Sequence, residues 1–172
     1  MCGFLTYLGP NCNLSSLDAA AKKIMYRGPD SSSREMISSN VVMIFHRLAI
    51  MDTSSLGDQP LFHPEDHSLS LVCNGEIYNY KSLIQSHRFQ MRSNSDCEII
   101  LHLYKRYGIE KTIKMLDGVF AFTLYDAKND MLFAGRDTFG VRPSFIGWDE
   151  DGGVAIASEI KALIDICDKN II

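Results

Sequence analysis

Short apolar runs broken by turn residues recur along the chain, and helical spacing appears in only a few places. Gly3–Leu8 reads as a strand stopped by Gly9-Pro10. Leu17, Ala20, Ala21, Ile24 and Met25 then recur at helical spacing behind a capping box formed by Ser15 and Asp18. Residues 36–50 hold two β-rich runs separated by Ser38-Ser39-Asn40, the second almost continuously apolar until His46-Arg47 interrupts it. Residues 52–66, rich in Ser, Gly, Asp and Pro, read as loop. Residues 69–73 predict a strand that runs into Asn74-Gly75-Glu76, and residues 80–86 a short helix. A second capping box, Ser95 with Glu98, opens a helix that puts Ile99, Ile100, Leu103, Tyr104 and Tyr107 on one face and stops at Gly108. Residues 110–116 predict a shorter helix. The last third reads as two hairpins: residues 119–125 with 131–135, and Phe145–Trp148 with Val154–Ala157. These are too many strands for a helical bundle and too few crossover helices for a parallel sheet. The pattern predicts an α+β fold of two antiparallel sheets covered by helices.

Composition narrows the function classes. With 172 residues, 46% of them hydrophobic, the chain suits one domain spanning 1–172 with a sizeable core. A net charge of −4 and scattered basic residues argue against a general nucleic-acid binder. No basic segment followed by an apolar run opens the sequence, and no stretch approaches the roughly 20 apolar residues of a membrane span, so a cytoplasmic protein without membrane contact is expected. Five cysteines at unpaired spacings (Cys2, Cys12, Cys73, Cys97, Cys167) read as reduced thiols. His63 and His67 have ligand-like spacing but no second ligand pair nearby, so no metal site is expected.

Five features carry candidate chemistry. Met1-Cys2-Gly3 puts a thiol where removal of the initiator methionine would leave a free α-amine on the same residue. Nucleophile and base would then share one residue; a chance cysteine beside the start is the alternative. Arg47, at the end of an apolar strand, suits bidentate binding of a carboxylate or an intramolecular ion pair. Asn74-Gly75 is the commonest hairpin-turn dipeptide, yet an asparagine amide beside a glycine N–H also suits an oxyanion hole. Asp96, in the first turn of a capped helix, either favours the helix dipole or receives a substrate ammonium. Arg136-Asp137 with Arg142 packs charge around Gly140 and Pro143, as surface loops and buried ion networks both do.

Cys2-Gly3, Arg27-Gly28-Pro29-Asp30, His46-Arg47-Leu48-Ala49-Ile50, Gln59-Pro60-Leu61 and Asn74-Gly75-Glu76-Ile77-Tyr78-Asn79 occur in this order. So do Ser95-Asp96-Cys97-Glu98, Leu116-Asp117-Gly118-Val119-Phe120-Ala121-Phe122, Gly135-Arg136-Asp137, Gly140-Val141-Arg142-Pro143 and Ala157-Ser158-Glu159-Ile160-Lys161-Ala162-Leu163. Across essentially the whole chain this set resembles the glutaminase domain of class II glutamine amidotransferases, nearest to the asparagine synthetase branch.

The resemblance implies the N-terminal nucleophile hydrolase fold, a four-layer αββα sandwich. It also implies hydrolysis of L-glutamine to L-glutamate and ammonia through a Cys2 thioester, with no cofactor in this domain. At the matching positions Asn74 and Gly75 would form the oxyanion hole, and Arg47 would hold the α-carboxylate. Glu76 and Asp96 would receive the α-ammonium, and Leu48, Ile50 and Met51 would line the pocket. Tyr26 and Ser144 depart from the residues usual in the family. The ATP-using synthetase domain of that branch has no counterpart in these residues, so an ATP-dependent synthetase domain or subunit in trans is the implied partner. The alternative reading is a non-catalytic interaction or regulatory module of the same fold docking on such a partner.

Overall fold

The apolar runs pair into two antiparallel sheets that face one another. The computed structural model describes residues 1–10, 12–167 and 171–172. Among them the elements follow in the order β1 (Gly3–Leu8), α1 (Leu14–Lys22), β2 (Ser31–Ser38), β3 (Val41–Arg47), β4 (Leu61–His63) and β5 (Asp66–Ile77). Then come α2 (Tyr80–His87), α3 (Ile99–Tyr107), α4 (Ile109–Met115), β6 (Gly118–Asp126), β7 (Met131–Arg136), β8 (Phe145–Trp148) and β9 (Val154–Ala157). One sheet runs β2-β3-β1-β9-β8 and the other β4-β5-β6-β7.

Side-chain alternation sorts the core into three interfaces. Phe4, Met43, Phe45, Val72, Ala121 and Tyr125 meet between the sheets. Leu5, Val42 and Ile44 point the other way and pack on Leu17, Ala20 and Ala21 of α1. Leu71, Phe122 and Leu124 pack on Ile99, Ile100 and Leu103 on the outer face of the second sheet. Three interfaces make four layers, helix, sheet, sheet and helix, as the resemblance implied. Each fully buried Leu or Phe contributes roughly 1.5–3 kcal/mol. β3 is buried along its whole length because both of its faces are covered, which is why its sequence is continuously apolar rather than alternating. No helix among the described residues is long and apolar enough to cross a membrane.

Several local expectations change. Asn74-Gly75 is no turn: both lie inside β5, opposite Ala121 and Phe120 of β6. The strand expected to begin near Met36 begins at Ser31, because β2 is an edge strand whose Ser-rich, largely exposed face carries no apolar signal. The loop expected over 52–66 contains β4, only three residues long. Neither capping box forms. Asn13 caps α1 by accepting the Ser16 N–H, and Asp18 instead pairs with Arg34. Glu98 turns back to accept N–H groups of Arg92 and Ser93 at 2.7 and 2.8 Å. The helical run toward Met25 stops at Lys22, followed by a separate short turn at Met25–Arg27.

Candidate functional site

Where β1, β3 and β5 converge, an open cavity encloses about 590 Å³ of space between atoms. Its wall holds all nine residues singled out from the sequence: Cys2, Arg47, Leu48, Ile50, Met51, Asn74, Gly75, Glu76 and Asp96.

Cys2 stands one residue before β1, and its side chain reaches across to the end of β3. The thiol accepts the Leu48 N–H at 3.3 Å and lies 3.6 Å from the Leu48 carbonyl. Arg27 Nε donates to the Cys2 carbonyl at 2.9 Å, and Arg27 is anchored in turn by Glu159 at 2.7 Å. Glu159 gathers Tyr26, Arg27 and Lys161, which hold its carboxyl down at about 2 against the cost of burial. Burial pushes the Cys2 thiol up, opposed by the Leu48 amide, the chain's terminal ammonium and Arg47. Met1 sits at the rim, half exposed.

Arg47 is buried and partly committed. Its Nη1 donates to the Ser54 carbonyl at 2.8 Å and to Asp58 at 2.6 Å, and its Nη2 to the Asp52 carbonyl. It therefore forms the internal ion pair that one reading expected, and it also lines the cavity. Among the described residues, Nε–H and the second Nη2–H remain for a ligand. Gly57 packs against this group, and a Cβ there would lie 2.4 Å from Arg47 Nη2.

β5 supplies the opposite wall, and its edge shows how. Beyond the short β4, the Cys73 N–H and carbonyl are capped by the Gln59 side chain at 2.6 and 3.0 Å. Ile77 N–H is capped by Asp96 Oδ2 at 2.6 Å. Strand alternation turns the Gly75 N–H to the same edge, between these two capped groups. A Cβ at Gly75 would lie 2.5 Å from the Val119 carbonyl, so only glycine fits the pairing with β6. Next to it, the Asn74 side-chain Nδ2 is buried and lacks a hydrogen-bond partner among the described residues. An orphaned buried amide costs roughly 1–3 kcal/mol and calls for an explanation in function.

Asp96 is buried in the short turn Asp96–Glu98. Burial raises its carboxyl pKa and the Glu76 charge raises it further, against the Ile77 amide and its own and Cys97's N–H groups. Glu76 is half exposed and lies 3.8 Å from Arg142 Nη2. Two arginines (Arg47, Arg142) and three carboxylates (Asp52, Glu76, Asp96) thus border one cavity, and an amino-acid zwitterion needs both signs of charge.

Gln59, Asp52 and Arg142 also line the wall, though the sequence did not assign them to this site. Gln59 and Arg142 lay inside motifs that carried the resemblance, but their side-chain directions depend on tertiary structure. Asp52 accepts N–H groups from Ser54 and from Asn94 and so joins two loops of the wall. Arg142 Nε is buried without a partner among the described residues.

Residues 1–171 match the family model described as a glutamine amidotransferase domain. The chain is 48% identical over 168 residues to the asparagine synthetase (glutamine-hydrolysing) of Mus musculus, covering 96% of this chain and 30% of that protein. It is 43% identical to asparagine synthetase 3 of Arabidopsis thaliana, covering 98% of this chain and 29% of that one. The chain thus spans about a third of the length of these relatives. Among solved structures, the glutamine phosphoribosylpyrophosphate amidotransferase of B. subtilis superposes with a TM-score of 0.77 at 20% identity, over 94% of this chain and 43% of that one.

Proposed function

The chain belongs to the class II glutamine amidotransferase domain family, and on that premise we propose that it hydrolyses L-glutamine to L-glutamate and ammonia through a γ-glutamyl thioester on Cys2. The observation that carries the reading is the buried, partnerless Asn74 Nδ2 in the same cavity as the Cys2 thiol.

With Met1 removed, the Cys2 amine takes the thiol proton as Sγ attacks the side-chain amide carbon of glutamine. The carbonyl oxygen becomes an oxyanion, received by Asn74 Nδ2–H and Gly75 N–H. The amine returns the proton to the departing nitrogen, which leaves as ammonia. Water then attacks the thioester, giving glutamate and regenerating the thiol. The remaining donors of Arg47 hold the α-carboxylate, and Asp96 with Glu76 the α-ammonium. Leu48, Ile50 and Met51 line the pocket mouth. The ammonia is consumed by an ATP-dependent synthetase domain or subunit, supplying nitrogen for asparagine synthesis or a related amidotransfer. A cytoplasmic setting, where thiols stay reduced, suits a catalytic cysteine.

The test is glutamate release by purified protein and by Cys2→Ala. The variant is expected to melt at the parental temperature and to release no glutamate above background. Parental release by Cys2→Ala would overturn the mechanism.

A further inference from the structure

A second cavity, about 700 Å³ between atoms, opens where α3, the turn after α2 and β4 meet. Its charge opposes that of the chain. The protein carries a net charge of −4, yet this wall presents Arg88, Lys105 and Arg106 with His63 and His102 against one carboxylate, Glu65.

Arg106 and the two histidines are held in place. Arg106 Nη1 donates to the His87 carbonyl at 2.9 Å, and its guanidinium lies over the Phe89 ring at 4.4 Å. Arg88 is the left-handed residue that ends α2, with φ of 56°, and its side chain is exposed. His63 and His102 are both buried, their ring centroids 4.5 Å apart. His63 Nδ1 accepts the Glu65 N–H at 3.2 Å, so the neutral ring carries its proton on Nε2 and is a donor there. Glu65 competes weakly for the cations: it meets Lys105 only at 3.4 Å, and its side chain is mostly exposed. Burial, then His102 and Lys105, push the His63 pKa down to about 4, against the nearby Glu65 and Asp66 carboxylates.

We propose that this cavity binds a phosphate-bearing small molecule. Guanidinium forks, an ammonium and an imidazole N–H converging on one space suit a tetrahedral oxyanion with several acceptors. Three cationic side chains line the space, more than one phosphate needs, which points to a ligand carrying at least two. The site lies outside the glutamine pocket and does not depend on the reaction assigned there.

Calorimetric titration tests this, with inorganic pyrophosphate as the probe and citrate as its carboxylate counterpart. Both go into the full chain and into Lys105→Gln and Arg88→Gln/Lys105→Gln variants. Pyrophosphate is expected to bind at least tenfold more tightly than citrate, with the His63 imidazole resonances moving during the titration. Each variant is expected to weaken binding, the double variant by roughly tenfold or more, the size of one lost charge-assisted contact. Their melting temperature and glutamate release stay parental. No pyrophosphate binding, equal affinity for citrate, or undiminished binding by the double variant would overturn the proposal.

Discussion

Asp96 and Asp137 are both buried aspartates near the β5–β6 pair, and they do opposite things. Asp137 accepts four backbone N–H groups: Phe139 and Val141 on Oδ1 at 3.1 and 3.0 Å, Phe120 and Arg142 on Oδ2 at 3.2 and 3.1 Å. Those bonds outweigh burial and hold its carboxyl below the usual range. Asp96 has one short bond, from Ile77, and burial wins, so its carboxyl lies above that range. The first carboxylate is used up in shaping the loop that carries Arg142. The second keeps acceptor capacity facing a cavity. Unused hydrogen-bonding capacity, rather than burial or charge, separates the proposed binding residue from the structural one.

The comparison extends to neutral groups, and there the largest effect is expected. Asn74→Ala removes a buried side-chain amide that has no partner among the described residues. It should lower kcat for glutamate release by roughly 10²–10³, with little change in melting temperature. A loss confined to KM would mean that Asn74 binds substrate rather than stabilising an oxyanion.

Asp96→Asn should raise KM for glutamine roughly 10–100-fold, the scale of one charge-assisted hydrogen bond. It should not lower stability at pH 7. A carboxyl with a raised folded pKa stabilises the fold fully only below its ordinary pKa of 3.8, and that contribution is lost as pH rises through the folded value. Asp137→Asn should do the reverse. It turns one acceptor into a donor facing backbone N–H groups, which costs about 2 kcal/mol and lowers Tm by about 5 °C. Equal losses of stability in the two variants would break the contrast.

The smallest effect concerns Glu159, another carboxylate whose hydrogen-bonding capacity is taken up internally. Its folded pKa of about 2 lies below its ordinary 4.5. It therefore contributes stability above about pH 4.5 that is lost as pH falls toward 2. Glu159→Gln should flatten that part of the acid-unfolding curve measured by circular dichroism.

The hairpins and the helical faces were legible because their signals are local. β8 and β9 match the expected bounds, and α3 ends at Gly108, which has φ of 75°. Local rules failed where tertiary pairing overrode them. Asn74-Gly75 carries the strongest turn signal in the chain, yet β6 holds it in a strand because Gly75 lets the Val119 carbonyl come close. β2 was read five residues short because an exposed edge strand needs no apolar alternation. The nine residues proposed from the sequence do line one cavity. The finer wiring of its wall was not legible. The Gln59 cap on Cys73, the Asp52 link to Asn94 and the commitment of Arg47 to Asp58 join positions that only the fold brings together.

The central claim is that Cys2, with its own freed amine, is the nucleophile. Intact-mass and peptide mass spectrometry of protein quenched in acid during glutamine turnover tests it most directly. The account predicts a chain lacking Met1, with a γ-glutamyl adduct on Cys2 that Cys2→Ala abolishes. Full glutamate release from a chain that retains Met1, or an adduct on any other residue, would contradict it.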